Sequence, residues 1–420
     1  MRTRRSILQA GLSGLVGSAI PQAWPLTSVE AAGTRRKLPV AAVVSVYTPN
    51  SHADVLAGKI LEGYQQDGGA GPDLELVSLF TDQVPPQDMS REKAKRHGFR
   101  ISETIDDALT FGTDRLQVAG VLCIGEHGQY ELTPETGQRM YPRRRFFDDV
   151  VQTFRRCDEV VPVFNDKHLA YRWNDAKTMY ETARELNIPF LAGSSLPVAW
   201  REPSFVLAAG AEVEAALSIG YGGFEDYGFH ALEAHQCLLE KRRGGTGIRA
   251  VRALKGERLR ESEAAGLWSS ELFAAARKRM PGYPEDTASW KPAENSAVYL
   301  LEHQDGFRSA VIMANGLADQ FTTALKIKEQ AEPVGTWFRL QEVPPFGHFA
   351  CLLRAIDHTF HTRVAAYPIE RTLLTTGILD RIMQSLAQNG RRIETPELAI
   401  EYSPTDWPYA NQNSGSSCMQ

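Results

Sequence analysis

Hydrophobic and polar residues alternate in blocks along residues 39–193, and the blocks have the lengths of buried strands and amphipathic helices. The nearly continuous apolar run Val40–Val46 is typical of a strand covered on both faces of a parallel sheet. Further strands are predicted over 74–80, 118–124, 160–164 and 190–192. Helices are predicted over 53–64, 90–97, 104–109, 146–155 and 175–186. This order predicts an α/β fold with a Rossmann-like, doubly wound parallel sheet.

The pattern loses this regular alternation after residue 200. Strands are predicted over 248–254, 296–301 and 309–315, and helices over 229–239, 267–277 and 369–386. Such a mixture predicts an α+β domain with an open, mostly antiparallel sheet. We therefore expect a Rossmann-like domain over 33–200, an α+β substrate and oligomerisation domain over 201–400, and a loose C-terminal tail over 401–420.

The first 32 residues have the pattern of a twin-arginine signal peptide. Arg4-Arg5 precedes an apolar stretch from Ala10 to Ile20, and small residues follow at Val29-Glu30-Ala31. This order predicts export to the periplasm or the extracellular space, although a plain basic N-terminus would give a similar pattern. The apolar stretch is too short for a stable membrane span and no other segment qualifies, so none is predicted.

Composition narrows the possible partners. A net charge of −5 gives no electrostatic reason to expect nucleic acid. The densest basic cluster, Arg143–Arg145, is more typical of a salt-bridged or solvated helix start than of a phosphate site. The five cysteines are scattered and give neither a disulfide framework nor a zinc signature.

Two separated segments carry candidate chemistry. Lys167 directly follows the buried strand predicted over 160–164. Asp226 and His230 are spaced i,i+4, so on a helix the carboxylate could hold the imidazole in one tautomer. A lysine and an oriented histidine can together move a proton and a hydride. The same spacing also fits a satisfied polar pair at a domain interface.

These segments resemble motifs of the Gfo/Idh/MocA family, which includes glucose-fructose oxidoreductase and inositol 2-dehydrogenase. Where the family has Glu-Lys-Pro after a strand, this chain has Asp166-Lys167-His168, and the next strand ends at Gly193 as in the family. The family's Asp-x-Gly-x-His motif after Gly-Gly matches residues 226–230 after Gly222-Gly223. The resemblance implies catalytic roles for Lys167, Asp226 and His230, with His230 as the general base on a sugar carbinol.

The resemblance also implies bound NAD or NADP, with Asp82 on the adenosine ribose. The family's glycine-rich first turn is absent, however. Lining up the family's histidine on His52 places other residues at the three glycine positions, namely Val44, Val46 and Pro49. Their side chains obstruct close approach of a pyrophosphate. Phosphate could still bind the first amides of the helix that begins near Ala53, capped by Ser51.

Glu126 and His127 follow the strand predicted over 118–124, at the sheet edge where ligands bind in this fold class. The resemblance places Glu126 on the cofactor side, together with Lys167, and His127 and His168 on the substrate side. Residues 126 and 127 equally fit a capped turn. His358 and His361 have a short metal-ligand spacing, but no metal site is assigned.

These expectations together describe an exported NAD(P)-dependent oxidoreductase that acts on a sugar or cyclic polyol. Two alternatives stay open: a glycoside hydrolase or lyase on the same scaffold, and a non-redox sugar-binding protein that has lost dinucleotide binding. The resemblance further implies a homo-oligomer that associates through the open face of the second sheet.

Overall fold

The first sheet of the protein has six parallel strands in the order β3-β2-β1-β4-β5-β6. The computed structural model describes residues 36–282 and 290–412, so the predicted signal peptide lies outside the described residues. The strands are β1 (Leu38–Val44), β2 (Leu74–Thr81), β3 (Arg100–Ser102), β4 (Gly120–Ile124), β5 (Val163–Asp166) and β6 (Phe190–Gly193). The helices are α1 (His52–Glu62), α2 (Ser90–His97), α3 (Ile105–Thr110), α4 (Arg143–Cys157) and α5 (Trp173–Glu185). The predicted doubly wound sheet is confirmed.

The second sheet has eight strands in the order β14-β9-β10-β11-β8-β12-β13-β7, and only the β8–β11 pair is parallel. Its strands are β7 (Trp200–Glu202), β8 (Val213–Gly220), β9 (Ile248–Lys255), β10 (Ala297–His303), β11 (Arg308–Met313), β12 (Phe321–Ile327), β13 (Val334–Arg339) and β14 (Ile393–Glu394). The helices are α6 (Asp226–Leu239), α7 (Glu257–Ala264), α8 (Ser270–Arg277), α9 (Gly347–Thr362) and α10 (Ile369–Ala387). The α+β prediction for this part is confirmed.

One hydrophobic core joins the two sheets. Helix α10 packs on β9 of the second sheet, on β6 of the first sheet, and on α5 and α6. Apolar residues from both sheets therefore belong to the same buried cluster. The boundary predicted at residue 200 separates the sheets but not their cores, and the described residues from Lys37 onward form one compact unit. None of the helices in the described part of the chain combines the length and apolar composition that a bilayer span needs.

Helix α9 returns from the second sheet to cover the first. It packs on α1, and the buried Phe360 ring lies where a side chain at position 120 would otherwise stand, which explains Gly120. Phe349 of the same helix contacts the His52 ring edge-on, with 4.9 Å between ring centroids. The predicted domain over 201–400 therefore includes a helix that completes the core of the first sheet.

The outer face of the second sheet is covered within the chain. Strand residues Leu217, Ile219 and Ile312 are fully buried in a cluster that contains Leu259 of α7 and Leu272 of α8. This is the face through which the resemblance implies association. Homo-oligomerisation stays a prediction, and any association would have to use a different surface or displace these helices.

The segment from Tyr402 to Asn411 is packed rather than loose as predicted. The Asn411 side chain accepts from the backbone amide of Arg201 at 2.7 Å and donates to its carbonyl at 3.1 Å. The Tyr409 hydroxyl lies 2.6 Å from that of Ser204. Sequence reasoning missed this because the segment has no helical or strand periodicity, and its order comes from side-chain hydrogen bonds.

Replacing Phe360 with alanine should lower the free energy of unfolding by about 3–5 kcal/mol, because it leaves a cavity between α9 and the first sheet. Urea denaturation of the full chain measures the change. Val364, which is 63% exposed just beyond the same helix, is the control, and its alanine variant should change stability by less than about 0.5 kcal/mol. Equal effects of the two variants would show that α9 is not part of this core.

Candidate functional site

A crevice forms where the carboxyl ends of β1, β4 and β5 meet the start of α6. It brings together predicted site residues from four separate parts of the chain. These are His52, Glu126, Lys167 and His230, whose charges act on one another. In a doubly wound sheet this edge is the usual place for ligands. We therefore take it as the candidate active site.

Lys167 is buried and held by an acid. Its Nζ donates to Glu126 Oε1 at 2.9 Å, and the other oxygen of Glu126 contacts the guanidinium of Arg143. Burial lowers the pKa of Lys167, but the charges of Glu126 and Asp166 outweigh burial and raise it. Burial likewise raises the pKa of Glu126, whereas Lys167 and Arg143 bring it well below its usual range. All three groups are therefore charged.

The backbone at Lys167 is also unusual. Its φ is +65°, a conformation that residues with a side chain rarely adopt, and its amide donates to Gly193 O at 3.0 Å. Such strain concentrates at functional sites because surrounding contacts must maintain it. This conformation therefore supports a functional role for Lys167.

His52 forms a second polar contact in the crevice. Its Nδ1 lies 2.6 Å from Asp166 Oδ2, and the Asp166 side chain is fully buried with no hydrogen-bond partner on its other oxygen. The His127 ring lies 5.3 Å from the His52 ring. His52, which is predicted to bind the cofactor, thus contacts Asp166 and His127 from two other predicted site segments.

The His230 side chain is partly exposed in the crevice, whereas its Nδ1 is buried and has no hydrogen-bond partner. Burial, and then the charges of Lys167 and His52, hold its pKa well below the usual range, so the imidazole is neutral. The predicted hydrogen bond from Asp226 is not formed. Asp226 begins α6, and its carboxylate accepts from the Tyr227 amide at 2.9 Å, because the free amides of a first turn compete for such an oxygen.

His168 and Arg143 form a buried contact. Arg143 NH1 lies 2.8 Å from His168 Nε2, so His168, predicted to bind substrate, supports Arg143 instead. Arg143 is 1% exposed and pairs with Glu126 at the first residue of α4, so the prediction of a salt-bridged helix start for Arg143–Arg145 is confirmed. Arg144 and Arg145 do form ion pairs, with Asp148 and Asp82.

Sequence reasoning missed two buried acids near the crevice. Burial raises the pKa of Glu225, which accepts from the Arg139 amide at 2.7 Å, to about 7. Burial also raises the pKa of Glu233 to about 7, although Ser194 donates to its Oε2 from the amide at 2.9 Å. Glu233 lies one helical turn after His230, and this i,i+3 spacing could have identified it.

The end of β2 is occupied by the chain itself. Gln83 and Gln129 exchange two hydrogen bonds of 2.9 Å between side chain and backbone. The Tyr130 hydroxyl donates to Asp82 at 2.8 Å, and Arg145 donates to the other oxygen of Asp82 at 2.7 Å. Asp82, predicted to bind the adenosine ribose, is thus already engaged on both oxygens.

The segment after β4 reaches Gln83 by crossing the end of β1. The Ser45 hydroxyl donates to Glu126 O at 2.5 Å. Gly128 has a φ of +97°, and a side chain there would come within 3.3 Å of Val46. Residues 126–130 therefore lie over the β1 turn, which is where a pyrophosphate would sit.

The first turn of α1 is also satisfied internally. Ser51 caps the helix and accepts from the Asp54 amide at 3.4 Å. The Asp54 carboxylate in turn accepts from the Asn50 amide at 3.0 Å. An acid of the chain thus occupies part of the site that we predicted for phosphate, since a carboxylate and a phosphate compete for the same amides.

His358 and His361, for which no metal site is predicted, both lie on α9. His361 lies with Asp73 and Asp357, and the possible ligand atoms of these three residues are within 4.8 Å of one another. These three groups make polar contacts with one another. For example, His361 Nε2 lies 3.1 Å from the carbonyl oxygen of Asp73.

No protein-family model matches this chain, and no curated protein matches it. Solved structures match its fold. GenD2 from gentamicin A biosynthesis, in complex with NAD, has a TM-score of 0.55 at 16% identity, over 86% of this chain and 97% of that one. Myo-inositol dehydrogenase from Corynebacterium glutamicum has a TM-score of 0.53 at 12% identity, over 85% and 98%.

Scyllo-inositol dehydrogenase from Lactobacillus casei, with bound NAD(H) and scyllo-inositol, has a TM-score of 0.51 at 11% identity, over 86% of this chain and 99% of that one. Identities this low show the fold alone. The chain therefore has the Gfo/Idh/MocA-type fold of inositol dehydrogenases and other NAD-binding oxidoreductases.

The residues at the nucleotide position do not fit a dinucleotide bound in the way that the resemblance implies. The β1 turn lacks glycine, residues 126–130 cover it, and Asp82 is engaged by Tyr130 and Arg145. Burying a diphosphate there would also require replacing hydrogen bonds that the chain already makes. The fold is kept, whereas the nucleotide position is filled by side chains.

Replacing Glu233 with glutamine should stabilise the protein at pH 8 by about 2–4 kcal/mol and change it little at pH 4. The folded-state pKa of Glu233 is about 7, above the value of 4.5 expected in the unfolded chain. Protonated Glu233 therefore contributes its full stabilisation of the fold below pH 4.5. This contribution is lost as the pH rises through 7, because the buried carboxylate must then ionise. Urea denaturation at both pH values tests this, with the exposed Glu131→Gln as control. A pH-independent effect of Glu233→Gln would contradict the assignment.

Proposed function

We propose that this protein is an enzyme that acts on a sugar or cyclic polyol by proton transfer at His230. One observation carries the proposal: the neutral and partly exposed imidazole of His230 lies in the same crevice as the charged Lys167. A base and a fixed positive charge are the two groups needed to remove a proton and stabilise the resulting anion.

In the proposed lyase reaction His230 accepts the proton of a carbon next to a carbonyl group, and the electrons of that C–H bond move onto the carbonyl oxygen. When these electrons return, a carbon–carbon double bond forms, the bond from the adjacent carbon to its oxygen substituent breaks, and that oxygen leaves with a proton from water. The Lys167 ammonium stabilises the negative charge that develops on the substrate oxygen. Glu126 holds Lys167 in place and keeps it charged, and Arg143 fixes the second oxygen of Glu126. Because these groups are buried and already oriented, little reorganisation accompanies the reaction.

Aromatic side chains support the choice of substrate class. The Tyr227 ring lies 6.0 Å from the His230 ring and 5.0 Å from that of Tyr221, and both tyrosines are partly exposed. Such rings present an apolar face and a polar edge, as a sugar ring does. The fold's occurrence in a structure with bound scyllo-inositol agrees with this choice.

The filled nucleotide position favours chemistry without a dinucleotide, which is the glycoside hydrolase or lyase alternative. A second candidate is an NAD(P)-dependent oxidoreductase, which is favoured by the bound NAD in the structural neighbours. This candidate requires residues 126–130 to leave the end of β1. A sugar-binding protein without catalysis is the third possibility. Export to the periplasm or the extracellular space stays part of the proposal.

Native mass spectrometry of the purified full chain should give the apo mass, and titration with NAD and NADP should show no binding, because side chains fill the nucleotide position. A nucleotide that stays bound at one copy per chain would instead establish the oxidoreductase candidate. Acid release and identification of that nucleotide would then decide between NAD and NADP.

Lys167→Ala and His230→Ala should each lower turnover by a factor of about 10² to 10⁴ without unfolding the protein. Turnover is measured on the substrate found by screening monosaccharides, uronates and inositols, and circular dichroism checks the fold. Lys177→Ala is the matched control, because its side chain is 53% exposed on α5.

The activity of the wild type should persist below pH 6.5, which is the ordinary pKa of histidine. The lowered pKa of His230 keeps its imidazole neutral there and able to accept a proton. A binding protein would show ligand affinity that survives His230→Ala and no turnover in any variant. That result would remove the enzymatic proposal.

A further inference from the structure

The crevice holds a second imidazole, that of His52 at the start of α1, and its side chain is 14% exposed. Its Nδ1 lies 2.6 Å from Asp166 Oδ2. Its Nε2 makes no hydrogen bond among the described residues and, unlike Nδ1 of His230, is not one of the buried atoms without a partner. Nε2 therefore presents accessible surface to the crevice, where the charge of His52 also acts on Glu126 and His230.

Asp166 holds this ring in one orientation. It ends β5 and is fully buried, and His52 is the sole hydrogen-bond partner of its carboxylate in the described part of the chain. A buried carboxylate without a partner is costly, so this contact is strongly favoured. The rings of Phe349 and His127 pack edge-on against the imidazole, with 4.9 and 5.3 Å between ring centroids. One hydrogen bond and two ring contacts thus fix the direction of Nε2.

The two imidazoles of the crevice differ in what surrounds them. No carboxylate pairs with His230 among the described residues, and burial together with the charges of Lys167 and His52 keeps its imidazole neutral. His52 instead contacts the buried carboxylate of Asp166, which compensates the positive charge that the ring acquires when Nε2 is also protonated. Where two like groups have such different surroundings, one can serve as the base and the other as the acid.

The lyase reaction requires a proton donor as well as a base. The leaving oxygen takes the electron pair of the carbon–oxygen bond, and an unprotonated alkoxide is a poor leaving group. We propose that His52 is the catalytic acid that protonates this oxygen from Nε2 as the bond breaks, with Asp166 as its positioning residue. His52 then recovers a proton from water, so water remains the source of the proton. This assignment rests on the proposed function and adds a second catalytic residue to the same site.

Two hexuronate methyl esters test the assignment, with either a methoxy or a nitrophenoxy group on the carbon next to the acidic C–H bond. His52→Asn keeps a hydrogen-bond donor for Asp166 but cannot deliver a proton, so it should eliminate methanol about 10² to 10⁴ times more slowly than the wild type. It should eliminate nitrophenolate within about threefold of the wild-type rate, because that anion leaves without a proton. This activity also shows that the variant is folded. Asp166→Asn should give the same pattern, because an amide does not compensate the charge of the ring.

Deuterium exchange from heavy water separates the roles of the two histidines. In His52→Asn, deuterium should still enter the methoxy ester at the carbon next to the carbonyl group, whereas His230→Ala should show no such exchange. His97→Asn is the matched control, since this histidine also contacts an acid, Glu62, but at the opposite end of α1. Both esters should react with this variant as they do with the wild type.

Equal slowing of both esters in His52→Asn, or loss of its deuterium exchange, would overturn the role of His52 as the acid. Elimination of methanol at the wild-type rate by His52→Asn or by Asp166→Asn would do the same. Neither exchange nor elimination by the wild type would instead remove the proposed lyase reaction itself, so the two failures are distinguishable.

Discussion

The buried carboxylate of Glu126 holds the crevice together. It contacts Lys167 after β5 and Arg143 at the start of α4, so one anion neutralises two cations from different elements. Without it, two positive charges would remain in a nearly dry environment, and such unpaired charges cost several kcal/mol each. Arg143 in turn contacts His168, and Lys167 helps burial to lower the pKa of His230, which the charge of Glu126 opposes. Glu126 thus links the fold of the first sheet to the chemistry of the crevice.

The same residue begins the segment that covers the end of β1. A doubly wound sheet leaves an open edge at its carboxyl ends, where ligands bind in folds of this class. Here the chain covers that edge with residues 126–130 and engages Asp82 with Tyr130 and Arg145. The fold and the ligand are therefore separable, because the strands fix the scaffold whereas the loops between them decide what binds.

The strands and helices of the first sheet could be predicted because runs such as Val40–Val46 are unambiguous in period and length. Strands β8, β12 and β13 could not, since alanine, threonine and glycine interrupt their apolar pattern. For the site, the sequence identified Lys167, Glu126 and His230 but assigned His230 the wrong partner. Spacing placed Asp226 on the same face, but it could not show that the first amides of α6 compete for its carboxylate. The burial of Arg143 was missed because it arises from tertiary packing and leaves no local pattern in the sequence.

Helix α9 has a consequence for the order in which the protein can fold. It covers α1 and the first sheet, yet it follows nearly all of the second sheet in the chain. During synthesis the six strands and five helices of the first sheet emerge early, but the part of its apolar face that α9 covers stays exposed until residues near 360 have been made. The core on this face is therefore incomplete in the N-terminal part alone, and its completion depends on contacts of very long sequence separation. Folding should accordingly be slow and concerted over the whole chain, with exposed apolar surface on the nascent protein until its synthesis is almost finished.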